Sequence, residues 1–316
     1  MRFSPWIIAA SFVAASTTYS AADGVAVLQE GEIEYPADYY GRVDLPLPQA
    51  FGHLKRLIGD ADNFEPISKF SEQNRYRIMA SPIGRLDLLV KRDGKQGTFL
   101  CTGWVISVDY IMTNNHCIPG HSGQVLKASL LMNYIEEGKT SGTQRFEVET
   151  KPVETSKVLD YSIVRVRGNP AMKYGIIPMQ ARDPSPEEEL FIVQHPAGKA
   201  KRLTRRNCRA DSQTERPEEL RHFCDTLGGS SGSPVFSDND MSLVGLHFAG
   251  IEKKVNFAKR MTAIIKKSPI LKQLGQAPQE STPARAPAPK PTIRQPAPQT
   301  VAPVEAAPSG GWQPIN

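Results

Sequence analysis

The stretch Thr226-Leu-Gly-Gly-Ser-Ser-Gly-Ser-Pro-Val-Phe236 crowds Ser230, Ser231 and Ser233 between glycines. Gly/Ser clusters form turns, and a turn can also present a nucleophile. A serine hydroxyl is a poor nucleophile at neutral pH. It needs a base, usually His, a group to orient that base, and donors aimed at the developing oxyanion. The chain offers candidates for the first two roles. In Ile111-Met-Thr-Asn-Asn-His-Cys117 a short apolar run enters a polar turn that ends on His116. In Leu159-Asp-Tyr-Ser-Ile-Val164 Asp160 stands at the mouth of a buried-type strand, where it can be partly desolvated and hold an imidazole tautomer.

The cysteines bear on the same region. Cys101, Cys117, Cys208 and Cys224 allow three pairings. The sequence-local choice is Cys101–Cys117 with Cys208–Cys224. Each bridge would close a loop of about 16 residues, worth ~3 kcal/mol in a chain-entropy account. Cys101–Cys117 would pin the turn bearing His116 to the preceding strand. No close CxxC pair and no HExxH occurs, so neither a metal nor another cofactor is expected.

The order His116, Asp160, Ser, in the contexts "TNNHC", "DYSIV" and "GSSGSP", resembles the chymotrypsin-fold serine peptidases, and among them the bacterial branch that includes the glutamyl endopeptidases. The resemblance covers residues 76–275. It implies an all-β fold of two six-stranded antiparallel β-barrels with a C-terminal helix. It also implies that Ser231 is the nucleophile, His116 its base and Asp160 the orienting acid, with the Gly229 and Ser231 N–H groups as the oxyanion hole. Two positions depart from the family pattern. Ser230 replaces an Asp that in many relatives pairs with a new N-terminus. Phe248 replaces a Ser that bonds the orienting Asp.

The same resemblance gives conflicting indications of specificity. Thr226, five positions before Ser231, and His247, in Gly-Leu-His-Phe-Ala-Gly250, match the glutamyl endopeptidase pocket, with Gly250 also read as substrate-binding. Asp225 stands where trypsin-like enzymes hold the Asp that pairs with Lys or Arg. Two matches outweigh one. Cleavage after Glu is the expectation, weakening as His247 deprotonates above about pH 7, with Asp225 turned aside into a local hydrogen bond. Cleavage after Lys or Arg is the alternative, and a non-catalytic homologue acting as a binding module is a third reading. A chaperone-protease would carry a PDZ-like domain after the core, where this chain has a Pro-rich segment.

The positioning elements read as strands: Phe99–Ser107, Tyr110–Thr113, Leu126–Tyr134, Ser162–Val166, Leu190–Gln194, Pro234–Phe236 and Leu243–Phe248. Turns fall at Asp93-Gly94 and Asp109-Tyr110. Many short strands without intervening helices indicate a barrel or sandwich, and one helix is expected over Ala258–Leu274. In a chain of 316 residues with a net charge of +5, the charge makes no case for nucleic acid. The expected partners are polypeptide substrates, the expected state a monomer.

Outside the core, Arg2 followed by the apolar run Trp6–Ala15 and the small residues Ser20-Ala-Ala22 reads as a secretory signal over residues 1–22. Export to the periplasm or beyond is therefore expected. Residues 23–75 read as a leader with a short helix at Phe51–Ile58 and processing at Arg75 or Arg77. Residues 276–316 hold ten of the 26 prolines and read as a tail that cannot offset its own ordering entropy. The run Lys199–Arg209 carries six cations and reads as a solvated hairpin or an exosite for acidic partners.

Overall fold

A computed structural model describes residues 19–20, 26–27, 33–46, 63–120, 123–213, 216–251 and 254–276. The apolar run of the signal, the Phe51–Ile58 helix and the Pro-rich tail lie outside the described residues.

Among the described residues seventeen strands form two antiparallel sheets. The first sheet contains β1 (Tyr19–Ser20), β2 (Ala26–Val27) and β3 (Ile33–Pro36), then β5 (Ile83–Arg92), β6 (Lys95–Val105), β7 (Tyr110–Thr113), β8 (Gln124–Met132), β9 (Gln144–Val148), β10 (Glu154–Ser156) and β11 (Tyr161–Arg165). The second contains β4 (Glu65–Pro66), β12 (Leu190–Gln194), β13 (Arg202–Thr204), β14 (Glu219–His222), β15 (Pro234–Ser237), β16 (Leu243–Ile251) and β17 (Val255–Arg260). The helices are α1 (Arg75–Ala80), α2 (Ala171–Tyr174), α3 (Met261–Lys267) and α4 (Pro269–Gln276). This is the double-barrel architecture expected, with additions. The six strands β12–β17 gain β4, and the first sheet reaches ten strands because β1–β3 join the six strands β5–β9 and β11, and β10 adds a short strand beside β11.

Each sheet closes over its own apolar filling: Leu86, Ile111, Leu130 and Val164 in the first, Ile192, Leu220, Val235 and Val244 in the second. A third cluster lies between them. There Trp104 and Met112 of the first sheet meet Phe191, Phe236 and Leu246 of the second, and Ile264 and Leu271 of the C-terminal helices. Phe191 and Phe236 are a cross-strand pair with stacked rings, centroids 4.9 Å apart.

The expected strands mostly fall within a few residues of those observed, but β5 escapes the sequence reading. Its Arg85 and Asp87 interrupt the apolar pattern, yet both are buried. Arg85 Nε donates to Asp87 Oδ1 at 2.7 Å, and Arg145 Nη1 donates to Asp87 Oδ2 at 2.7 Å. The remaining Arg85 donors bind the carbonyls of Arg42, Val43 and Gly198. One buried guanidinium thus joins the N-terminal stretch to a loop of the second sheet.

The fold therefore does not begin at Tyr76. Part of the stretch read as a leader is woven into both sheets: β3 pairs with β6 and β4 with β13, while Tyr35, Leu45 and Ile67 are buried. The expected helix Ala258–Leu274 is also corrected. Ala258, Lys259 and Arg260 pair with β14 and β16 as strand. The rest is split at Ser268-Pro269 because proline cannot donate the next helical hydrogen bond. Among the described residues no helix is long and apolar enough to cross a membrane.

Candidate active site

Strands β7 and β11 are antiparallel, with Thr113 opposite Ser162. That register sets the residues leaving β7 beside the residue entering β11. Asn114 Nδ2 donates to the Asp160 carbonyl at 2.8 Å. Two residues on, the His116 backbone N–H donates to Asp160 Oδ1 at 3.0 Å, and Nδ1 lies 2.7 Å from Oδ2. A carboxylate only accepts, so Nδ1 carries the proton and Nε2 is the ring's basic nitrogen. Asp160 is 6% exposed and holds a left-handed backbone with φ +42°. The donor that Phe248 cannot supply comes from the backbone of His116 itself.

Disulfides join Cys101 to Cys117 and Cys208 to Cys224. The His116 ring nitrogen and the sulfurs of Cys101 and Cys117 lie within 4.8 Å of one another. Bonded to each other, the sulfurs are not thiolate metal ligands. The bridge also leads to the serine loop. Thr102, next to Cys101, takes hold of that loop twice: its N–H donates to the Ser231 carbonyl at 2.8 Å and its hydroxyl to the Gly229 carbonyl at 2.9 Å. His116 and the Ser231 backbone are thus hung from opposite ends of one disulfide.

Two glycines make this closeness possible. Gly232 has φ +88°, its N–H donates to the His247 carbonyl at 2.9 Å, and its carbonyl accepts from Trp104 Nε1 at 3.1 Å. A Cβ there would strike the Thr102 carbonyl and lie 2.6 Å from Thr113 Oγ1. Gly229 has φ +92°, and a Cβ there would lie 2.7 Å from the His195 carbonyl oxygen. Among the described residues no backbone carbonyl takes the N–H of Gly229 or of Ser231. Ser230 is buried and serves its own turn, its Oγ accepting from the Leu227 N–H at 3.2 Å.

Near this loop Asp225 is 1% exposed. Its Oδ2 accepts from Asn63 Nδ2 at 2.8 Å and from the Asn63 N–H at 3.3 Å. Its carbonyl accepts from Gln194 Nε2 at 2.8 Å. Thr226 is half-buried. Gly250 pairs with Asn256, whose Nδ2 donates to the Cys224 carbonyl at 2.6 Å. His247 is buried, and its Nδ1 lies 3.3 Å from Nε2 of His222 on β14. Burial holds His247 well below the usual imidazole range, and the charges of His222 and His116 add to this, against a favourable contact with the Phe257 carbonyl. Burial lowers His222 to about 3. His247 is therefore already neutral at pH 7, and the expected deprotonation near that pH is corrected.

Comparison with known proteins agrees with this geometry. Residues 101–246 match the trypsin-like peptidase domain family. Glutamyl endopeptidase of Staphylococcus epidermidis is 26% identical over 193 residues, 58% of this chain and 66% of that protein. Over those residues the chain is similar to trypsin-like serine peptidases. A secreted RxLR effector protein of Plasmopara viticola is 29% identical over 215 residues, 62% of this chain. The chain spans about half the length of that relative, 52%. A solved Glu endopeptidase, bound to MPD, shares the fold with a TM-score of 0.52 at 17% identity, over 67% of this chain and 96% of that one.

Two residues near the site escape the sequence reading. His222 has a usable signal, since β14 alternates and puts Leu220 and His222 on its inward face. Asn63 has none, because its partner is 162 residues away. The other buried histidine, His195, bonds the Lys199 carbonyl through Nδ1 at 2.8 Å and stacks on Tyr134. The basic run is neither a free hairpin nor an open cationic face. Arg202 meets Glu137 at 3.3 Å, Arg205 meets Glu65 at 2.9 Å and Arg209 meets Glu187 at 2.7 Å, while Lys199 bonds the Leu45 carbonyl and Lys201 is buried.

Proposed function

We propose that the chain is an exported serine endopeptidase acting through Ser231, His116 and Asp160. Ser231 Oγ attacks the scissile carbonyl while His116 Nε2 accepts its proton. The resulting oxyanion takes the N–H groups of Gly229 and Ser231. His116 then protonates the leaving amine, and the acyl-enzyme is hydrolysed by water along the reverse route. Asp160 holds the tautomer and stabilises the transient imidazolium. The observation that carries this reading is the two-point grip of Asp160 on His116, through Nδ1 and the backbone N–H. Two disulfides support export, since such bridges persist in oxidising compartments. Labelling by an organophosphonate probe, absent in Ser231→Ala, is the expected result. Failure of the folded protein to label would leave the binding-module reading.

The proposed substrate preference is Glu before the scissile bond. Asn63 supports it by occupying the Asp225 carboxylate that a Lys or Arg side chain would otherwise meet. His222 supports it too. Nδ1 of His222 has no partner, which is cheaper for a lone pair than for an N–H, so Nε2–H donates to His247 Nδ1. The His247 proton then sits on Nε2, where a substrate carboxylate would compete for it with the Phe257 carbonyl. Because this donor is neutral, Glu turnover does not fall as pH rises through 7. A fluorogenic pair differing only in Glu versus Arg tests the preference. Faster cleavage of the Arg substrate, abolished by Asp225→Ser, would replace it with a trypsin-like one.

A further inference from the structure

Lys201 and Arg77 face one small cleft where the two sheets meet α1. The cleft has a volume of about 250 Å³, counting the space at its mouth. Ile67 and Ile135 supply apolar wall, and Ser81 and Asn133 supply polar wall. Lys201 is 1% exposed, and its Nζ donates to the Ala80 carbonyl at the end of α1, 2.5 Å away. That bond uses one of three ammonium donors. Arg77 Nη1 is shut off from solvent and has no hydrogen-bond partner among the described residues. Among the described residues no acidic side chain lines the cleft. Glu72, which favours the charged form of Arg77, is exposed.

A buried ammonium beside a half-buried guanidinium, with Glu72 the nearest counter-charge and outside the cleft, is unfavourable, and a guanidinium does not escape by losing its proton. Lys201 shows the strain: burial first, and then the charge of Arg77, push its ammonium down to about 7. An anion in the cleft would face both charges, use the idle N–H of Arg77 and the remaining donors of Lys201, and reach the Ser81 hydroxyl.

We propose that this cleft is a binding site for one small tetrahedral oxyanion, phosphate or sulfate, clamped between Arg77 of α1 and Lys201 at the start of β13. The site is independent of the catalytic reading, since no residue proposed for peptide hydrolysis lines it. Its consequence is structural. The anion ties α1, Ile67 just after β4 and the turn after β8 to the second sheet.

The test is calorimetric titration of the full chain with inorganic phosphate at pH 7, ionic strength held constant with sodium chloride. The expected result is saturable one-site binding, with a higher melting temperature in phosphate than in chloride alone. Arg77→Gln, at a half-buried position that tolerates a polar side chain, weakens the affinity at least tenfold. Lys201→Met does the same if it folds, while Arg206→Gln, an exposed cation outside the cleft, leaves affinity unchanged. Absence of saturable binding to the unaltered chain would overturn the proposal, as would undiminished affinity in Arg77→Gln. Acetate binding as tightly as phosphate would overturn the assignment to tetrahedral oxyanions.

Discussion

Asn63 holds the carboxylate of Asp225 through two donors, the side-chain amide at 2.8 Å and the backbone N–H at 3.3 Å, across 162 residues of chain. The residue that would decide between acidic and basic substrates is thus governed by a segment far from the serine loop. Asn63→Ala removes the amide donor. A hydrogen bond to a charged group is worth about 1.5–3 kcal/mol, so the ratio of Arg to Glu turnover is expected to rise roughly tenfold or more. The fluorogenic pair measures that ratio. An unchanged ratio would separate Asn63 from specificity.

The serine loop depends on Gly232. Gly232→Ala adds a Cβ against the Thr102 carbonyl and Thr113 hydroxyl at a backbone with φ +88°. Strain and contact together are expected to cost ~3 kcal/mol or more, with peptide hydrolysis lost as well. Gly94→Ala is the control. Its φ is +78°, but nothing lies within 4 Å of the added carbon, so the expected cost is about 1 kcal/mol. Urea melts of both variants decide the matter.

Burial lowers His222 to about 3, whereas an unfolded histidine titrates near 6.5. Between those values the unfolded chain binds the extra proton, so stability is complete above about pH 6.5 and falls as pH drops toward 3. The accumulated loss is of order several kcal/mol. His222→Gln is expected to flatten the stability curve over that interval. Denaturation at pH 4 and pH 7 checks this, and an equal pH slope in the variant would count against it.

Truncation at Tyr76 would remove β4, buried Ile67, Asn63 and two of the carbonyls that Arg85 binds. Leaving a buried guanidinium short of acceptors costs several kcal/mol. A chain beginning at Tyr76 is therefore expected to be insoluble or inactive, whereas one ending at Gln276 is expected to keep peptide hydrolysis. N-terminal sequencing of the active form is expected to find a start at or before Arg42. An active form starting after Arg75 or Arg77 would refute this.

The sequence by itself determined what depends on near neighbours. His116 beside Cys117, Asp160 at the entrance to an apolar strand, and glycines around Ser231 are local signatures, because the proposed chemistry restricts both the residue type and its immediate backbone. Strand alternation carried most of the sheet for the same reason. Only the tertiary structure decided the rest. Arg85 and Asp87 resemble surface charges until the partners that bury them are known. Ala258 to Arg260 are compatible with helix until β14 and β16 claim them as strand. Lys201 looks like one member of a solvated basic run until its side chain is found under α1. Asn63 with Asp225, and His222 with His247, are pairings made by sheet packing across long separations. A one-dimensional pattern records side-chain type and spacing. Which buried donor meets which acceptor is set only when the two sheets close on each other and water is gone.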